Sequence, residues 1–295
     1  MKKKFSKVVV WGHPLNSHTH SYIHHGFYKA FQYLGYETLW TSGNEDFSDV
    51  DLRNCLFITE GQVDSNIPLI KDSYYVLHNT NAKKYLEAGV KVLTLQVYTK
   101  DVHSRGESIN SYTVIQKRIE DIECLYQPWA TDLLPHEIDP TKAFNSQNKV
   151  SVWVGSDQEN LPEFFSECKK NKVEVRKINP WLNPISFSEN KELIRNSYIS
   201  PSLQSNWQVE NGYIPCRVFK NLSYGHFGYT NSYTVKEIFQ NEIVYDLNPV
   251  SLFYKGLDEK NSPSHVERLS FLMNEVKEKH TYINRINQIL ECLSE

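Results

Sequence analysis

No stretch of the sequence approaches the roughly 20 consecutive apolar residues that a membrane helix needs. The apolar run after the basic start, Val8-Val-Val-Trp11, is also too short for a secretion signal. Three lysines at positions 2–4 touching an anionic membrane is one reading, a solvated tail the simpler one. Cysteine is scarce. The five present, at 55, 124, 168, 216 and 292, form no C-x-x-C pair, which removes zinc-ribbon and disulfide frameworks. An odd, scattered set fits reduced thiols, so the reading is a soluble cytoplasmic protein. Positive charge is not in excess either: 32 Lys and Arg against 35 Asp and Glu give a net charge of −3. That argues against non-specific nucleic-acid binding, which needs a basic face. The loop after Gly12 is not a G-x-G-x-x-G, so a nicotinamide dinucleotide finds no motif here.

What is present is globular. With 295 residues, 40% hydrophobic and 23% charged, the chain is long enough for two domains with ordinary cores. Aromatics reach 13%, a feature shared by sugar-stacking enzymes and plain cores. Residues 7–12 read as a buried strand, and apolar positions from Tyr22 to Leu34 recur at helical spacing up to Gly35. Strands follow at 37–41, 55–59, 74–77 and 90–97, with a short helix at 81–86 and a last strand at 122–126. This opening is that of a doubly wound sheet, whose ligands lie beyond the carboxyl ends of the strands. Lys100–Ser111 is polar and without period, either a loop over the cleft or a plain surface excursion.

Residues 136–148 have linker composition, which divides the chain into a first domain, 1–145, and a second domain, 146–295. The pattern then restarts with strands at 150–154 and 173–178, helices at 161–168 and 190–195, and a short strand at 198–199. A strand at 244–246 and a helical turn at 250–254 come later. A long apolar stripe from His265 to Leu290 closes the chain, with His280 the place where that helix would break.

Between these lies Asn211–Ser232, where Ile214, Val218 and Leu222 give one apolar helical face. Pro215 suits the first turn, Gly225 the left-handed stop, and His226–Tyr229 a short strand before the helix-opening Thr230-Asn231-Ser232. Arg217 and Lys220 fall on the polar side. Two cations beside helix N-termini favour an anion, phosphate above all.

The run Ile214-Pro-x-Arg217-x-Phe219-x-x-Leu222-x-x-Gly225, then Thr230-Asn231, then His280-Thr-Tyr-x-x-Arg285, resembles the donor half of GT-B glycosyltransferases. It is most like the group-1-like subset typified by spore-maturation proteins. The resemblance covers about residues 150–290 and is topological before that. It implies an α/β fold of two Rossmann-like doubly wound domains, with a C-terminal helix crossing back to the first. One position departs: where many relatives carry a Glu that holds the donor ribose, this chain has Lys220.

Glycosyl transfer requires a neutralised leaving diphosphate and a deprotonated or positioned acceptor hydroxyl. The resemblance implies that the charge is met without metal, and the only Asp-x-Asp, Asp49-Val-Asp51, lies in a polar loop. Arg217 and Lys220 are the candidate diphosphate contacts, against the reading of solvated surface cations. Gly155, Ser156, Ser202, Gly225, Thr230, Asn231 and Ser232 are candidate donor-binding residues; a turn explains the first pair and an N-cap the last three equally well. Trp181 falls where relatives hold the base, and a core Trp is the alternative. His78, at a strand's carboxyl end, is the candidate base, with Glu60 on the neighbouring strand its rival. His13, His18, His20, His24 and His25 invite a metal reading, but a loop and adjacent helical positions argue against it, so no metal site is expected.

The expected function is transfer of a sugar from a nucleotide-diphosphate donor, a co-substrate rather than a cofactor, to a glycan or small-molecule acceptor. The alternatives are a nucleotide-sugar 2-epimerase and a non-catalytic binding module on the same scaffold.

Overall fold

The structure, a computed structural model, describes residues 5–98, 117–119 and 122–293; Lys100–Ser111 lies outside them. The chain divides into two compact units. The first takes the chain up to Val97, the stretch ending at Gln127, and everything from Tyr282; the second holds residues 128–281.

The first unit is built on seven strands: β1 (Lys7–Trp11), β2 (Thr38–Thr41), β3 (Cys55–Glu60), β4 (Tyr74–His78), β5 (Lys91–Gln96), β6 (Lys117–Ile119) and β7 (Ile122–Tyr126). Their order is β2-β1-β3-β4-β5-β7-β6, parallel throughout except for the edge strand β6. The short antiparallel β6 is not evident from the sequence. Strands in a parallel sheet are covered on both faces, so they read as continuous apolar runs. Val8, Val9, Val10, Leu56, Phe57, Ile58 and Val76 are accordingly all buried. Val9, Trp11, Phe57, Tyr75 and Leu77 share one face of the pleat with Tyr85 of α2 (Lys83–Glu87). Each such large side chain contributes about 2–3 kcal/mol by leaving water. Helix α1 (Ser21–Tyr33) packs on β1 and β2.

In the second unit β8 (Val150–Val154) pairs with β9 (Glu174–Ile178), and β10 (Tyr229–Thr230) with β11 (Val244–Tyr245), both in parallel. The strand expected at 198–199 does not form. Serine hydroxyls take over much of the pairing there: Ser200 Oγ donates to Val152 O at 2.5 Å, and Ser197 Oγ accepts from the Val152 N–H at 2.8 Å. Ser151 Oγ donates to Ile199 O at 2.5 Å, and the Tyr198 N–H to Val150 O at 2.8 Å. A single bridge, Ser202 to Thr230, leads on to β10.

The helices of this unit are α3 (Leu161–Lys170), α4 (Phe187–Arg195), α5 (Asn206–Glu210), α6 (Cys216–Ser223), α7 (Tyr233–Ile238), α8 (Pro249–Lys260) and α9 (His265–Lys279). Helix α8 runs well past the single turn expected at 250–254. Its Asn248 side chain caps the N–H groups of Val250 and Ser251, and Pro249 takes the first position. The stretch 136–148 packs with this unit, where Ser270 Oγ donates to Pro140 O at 3.0 Å. Lys260 Nζ donates to Asn145 Oδ1 at 2.5 Å.

The terminal apolar stripe breaks at His280, as its pattern allows, into α9 and α10 (Tyr282–Cys292). Helix α10 belongs to the first unit, where Tyr282 packs 4.7 Å from Phe27 of α1. Among the described residues no helix is long and apolar enough to cross a membrane.

Candidate functional site

In the first unit the chain runs from β1 out to β2 on one side, then returns to β3 on the other. Such a reversal leaves an open crevice at the carboxyl ends of the strands, where open α/β sheets bind ligands. Glu60 ends β3 there and His78 ends β4, the two residues in register on adjacent strands. His13 follows β1 by two residues. Glu60 is 1% exposed, and the histidines gather on it. His13 Nε2 meets Glu60 Oε1 and His20 Nδ1 meets Oε2, both in close hydrogen-bonded contact. His78 Nδ1 stands 3.8 Å from that same Oε2. His18 stacks on His13 with ring centres 4.1 Å apart.

The loop is held in place by local chemistry. Asn16, in the left-handed region at φ 62°, accepts a hydrogen bond from Tyr22 and donates its N–H to Ser21 Oγ. The His13 N–H donates to His24 Nδ1 at 2.9 Å. Gly12 makes this approach possible, because a Cβ there would sit 2.3 Å from the same ring nitrogen.

Burial raises the Glu60 carboxyl, but the imidazoles of His20 and His78 overcome it and hold the group well below the usual carboxylate range. Burial lowers His78, with Glu60 opposing, and lowers His18, helped by repulsion from His13 and His20. Burial takes His24 down to about 3, so it stays the neutral acceptor that the His13 N–H requires. One buried carboxylate orienting several imidazoles is equipped to accept a proton or to hold a cation.

The second unit places Arg217 in the first turn of α6. Its guanidinium lies 3.6 Å from the centre of the buried Trp153 indole, the residue two before Gly155. Gly155 has φ +137°, and a Cβ there would come within 2.5 Å of Arg217 Nη2. The Trp153 indole N–H donates to Ser156 O at 2.9 Å, tying that turn to the ring under the guanidinium. Gly155, Ser156 and Arg217 are thus brought together. Burial lowers Arg217 to about 10, which leaves it charged at neutral pH.

Lys220, one turn along, is buried, with Nζ 3.7 Å from Asp132 Oδ2. The Tyr224 hydroxyl donates to both oxygens of that carboxylate, 2.8 Å from each. Asp132, Trp153 and Tyr224 carry no sequence signal for these roles, since 92 residues separate Asp132 from Tyr224. Neither Arg217 nor Lys220 is a freely solvated surface cation.

Ser202, Thr230, Asn231 and Ser232 form a separate group, and all four are buried. Ser202 Oγ accepts from Asn221 of α6 at 3.4 Å, and Thr230 Oγ1 accepts from the Ser232 N–H at 3.1 Å. Asn231 exchanges hydrogen bonds with the Gln204 backbone in both directions, each 2.9 Å. Ser232 Oγ caps α7 by accepting from the Val235 N–H. These side chains are engaged in holding the chain. Gly225, at φ +90°, follows the end of α6. Trp181 lies partly buried three residues beyond β9, its N–H donated to Asn179 Oδ1 at 3.1 Å.

No protein-family model matches the sequence, and no curated protein matches it. Solved structures do. The chain is similar to an alpha-glucosyltransferase in complex with UDP and a 13-mer DNA containing an HMU base (TM-score 0.53, 9% identity, 96% of this chain and 98% of that one). It is also similar to the DNA-modifying enzyme beta-glucosyltransferase, solved with and without its substrate uridine diphosphoglucose (TM-score 0.51, 12% identity, 96% and 98%). OtsA in its apo form is a third (TM-score 0.51, 10% identity, 98% of each chain). The fold is GT-B. At such identities the likeness is one of fold and assigns no residue a role.

Proposed function

We propose that the protein is a glycosyltransferase moving a sugar from a nucleotide-diphosphate donor to an acceptor hydroxyl. The observation that carries this reading is the Arg217 guanidinium held on Trp153 against the Gly155 turn, beside the N-terminus of α6. A fixed, charged guanidinium at a helix N-terminus suits a leaving diphosphate, whose negative charge grows as the bond to the sugar breaks. Lys220, balanced by Asp132, adds less charge and more rigidity. In this reading no metal is needed at the diphosphate. Two of the similar structures were solved with UDP or uridine diphosphoglucose, which makes a uridine nucleotide the first donor to try.

Acceptor activation falls to the first unit. As the acceptor oxygen bonds to the anomeric carbon, its proton passes to an imidazole of the Glu60 cluster, and the nucleoside diphosphate leaves with the bonding pair. His78 is the strand-end candidate, and Glu60 fixes the orientation of the rings. A glycan or small molecule fits the net charge of −3 better than nucleic acid does.

The test is release of nucleoside diphosphate from a panel of nucleotide sugars, with and without acceptors, for the wild type and Arg217→Ala. Acceptor-dependent release, lowered about 100-fold in the variant, supports the reading. Interconversion of the sugar without acceptor would replace it by the epimerase reading.

A further inference from the structure

Glu60, His20 and His78 converge from the ends of two adjacent strands and from the loop that follows β1. The atoms they present lie within 4.8 Å of one another. Around a tetrahedral ion with bonds of about 2.0–2.2 Å, neighbouring ligand atoms stand roughly 3.3–3.6 Å apart. His20 Nδ1, which is hydrogen-bonded to Glu60 Oε2, would therefore move away from that oxygen to admit one. The His78 Nδ1 to Glu60 Oε2 distance of 3.8 Å is close to the spacing of two ligands of one ion. The other carboxylate oxygen is held by His13, whose own N–H is fixed on His24. A ligating carboxylate is usually steadied by such an outer partner.

We propose that Glu60, His20 and His78 bind one divalent transition-metal cation of the zinc class. Two imidazole nitrogens and one carboxylate oxygen select zinc, cobalt or nickel over magnesium and calcium, which prefer oxygen throughout. Three protein ligands is the number found in sites that keep a position open for water or substrate. His13 and His18 form a second set with Glu60 inside the same 4.8 Å, but both are more exposed than His78, and the set that holds two buried ligands is the one assigned. On the transferase reading, and resting on it, the open position is where an acceptor hydroxyl would be bound and made more acidic. His78 then serves there as a ligand, and the proton passes to another imidazole of the cluster.

The experiment is a Co²⁺ titration of chelator-stripped full-length protein, read by visible absorption, with Zn²⁺ affinity measured against a chromophoric chelator. No nucleotide is present, so failure here leaves the donor reading standing, and failure of donor binding leaves this site standing. One equivalent should bind in the wild type and in His18→Ala, with no competition from Mg²⁺. Glu60→Gln, His20→Ala and His78→Ala should each lose about 100-fold or more in affinity. His20, in a partly exposed loop, provides the variant that keeps the fold if the buried ones do not, with circular dichroism as the check. Absence of a stoichiometric site, retention of binding in both His20→Ala and His78→Ala, or loss in His18→Ala alone would overturn the assignment.

Discussion

The Arg217 guanidinium rests 3.6 Å from the centre of the Trp153 indole, with Gly155 close beside its Nη2. A side chain at 155 would therefore meet both a backbone at φ +137° and Nη2 of Arg217. Gly155→Ala is expected to destabilise the protein by about 1–3 kcal/mol. It should also weaken donor binding by displacing the guanidinium. Urea unfolding reads the first effect and calorimetric titration the second; a variant unchanged in both would remove the turn from the site.

The Lys220–Asp132 pair is buried and shares its carboxylate with the Tyr224 hydroxyl. Breaking one side leaves a charge without its counter-ion. Asp132→Ala should cost about 3–5 kcal/mol, and Asp132→Leu combined with Lys220→Met considerably less. Losses in Asp132→Leu and Lys220→Met that simply add up in the double variant, measured in urea, would show that the pair is not coupled.

His226 supplies a pH dependence. Its Nε2 accepts the Ser200 N–H at 3.1 Å. Burial, with repulsion from Lys260 and His265, takes it from 6.5 down to about 3. Between those two values the unfolded chain binds more protons than the folded one. Stability therefore rises with pH across the window and is lost as pH falls from 6.5 toward 3. His226→Gln keeps an acceptor and removes the titration. Its urea midpoint should fall less than that of the wild type between about pH 7 and about pH 4.5. Parallel falls would exclude His226 as a source of acid sensitivity.

Much of this was legible in the chain, and the exceptions have physical reasons. Continuous apolar runs ending in Glu60 and His78 announced parallel strands with polar residues at their carboxyl ends. The break at His280 was readable from the pattern. The joining of Glu60 to His13 and His20 was not, because 47 and 40 residues separate them and spacing says nothing about which loop folds back on which strand. That is why histidines dispersed over a loop and a helix argued against a metal site. The strand expected at 198–199 failed because serine hydroxyls offered the backbone of β8 partners of another kind. Thr230, Asn231 and Ser232 read equally as ligands or caps, and their side chains are engaged within the fold.

The most direct test of the account is a thermal-shift and calorimetric panel of UDP, GDP, ADP, CMP and dTDP compounds with the wild type and Arg217→Ala. The account predicts saturable binding of one nucleoside-diphosphate class by the wild type, weakened about 100-fold in the variant while its melting temperature without ligand is nearly unchanged. Binding of no nucleotide, or equal binding by both proteins, would contradict it.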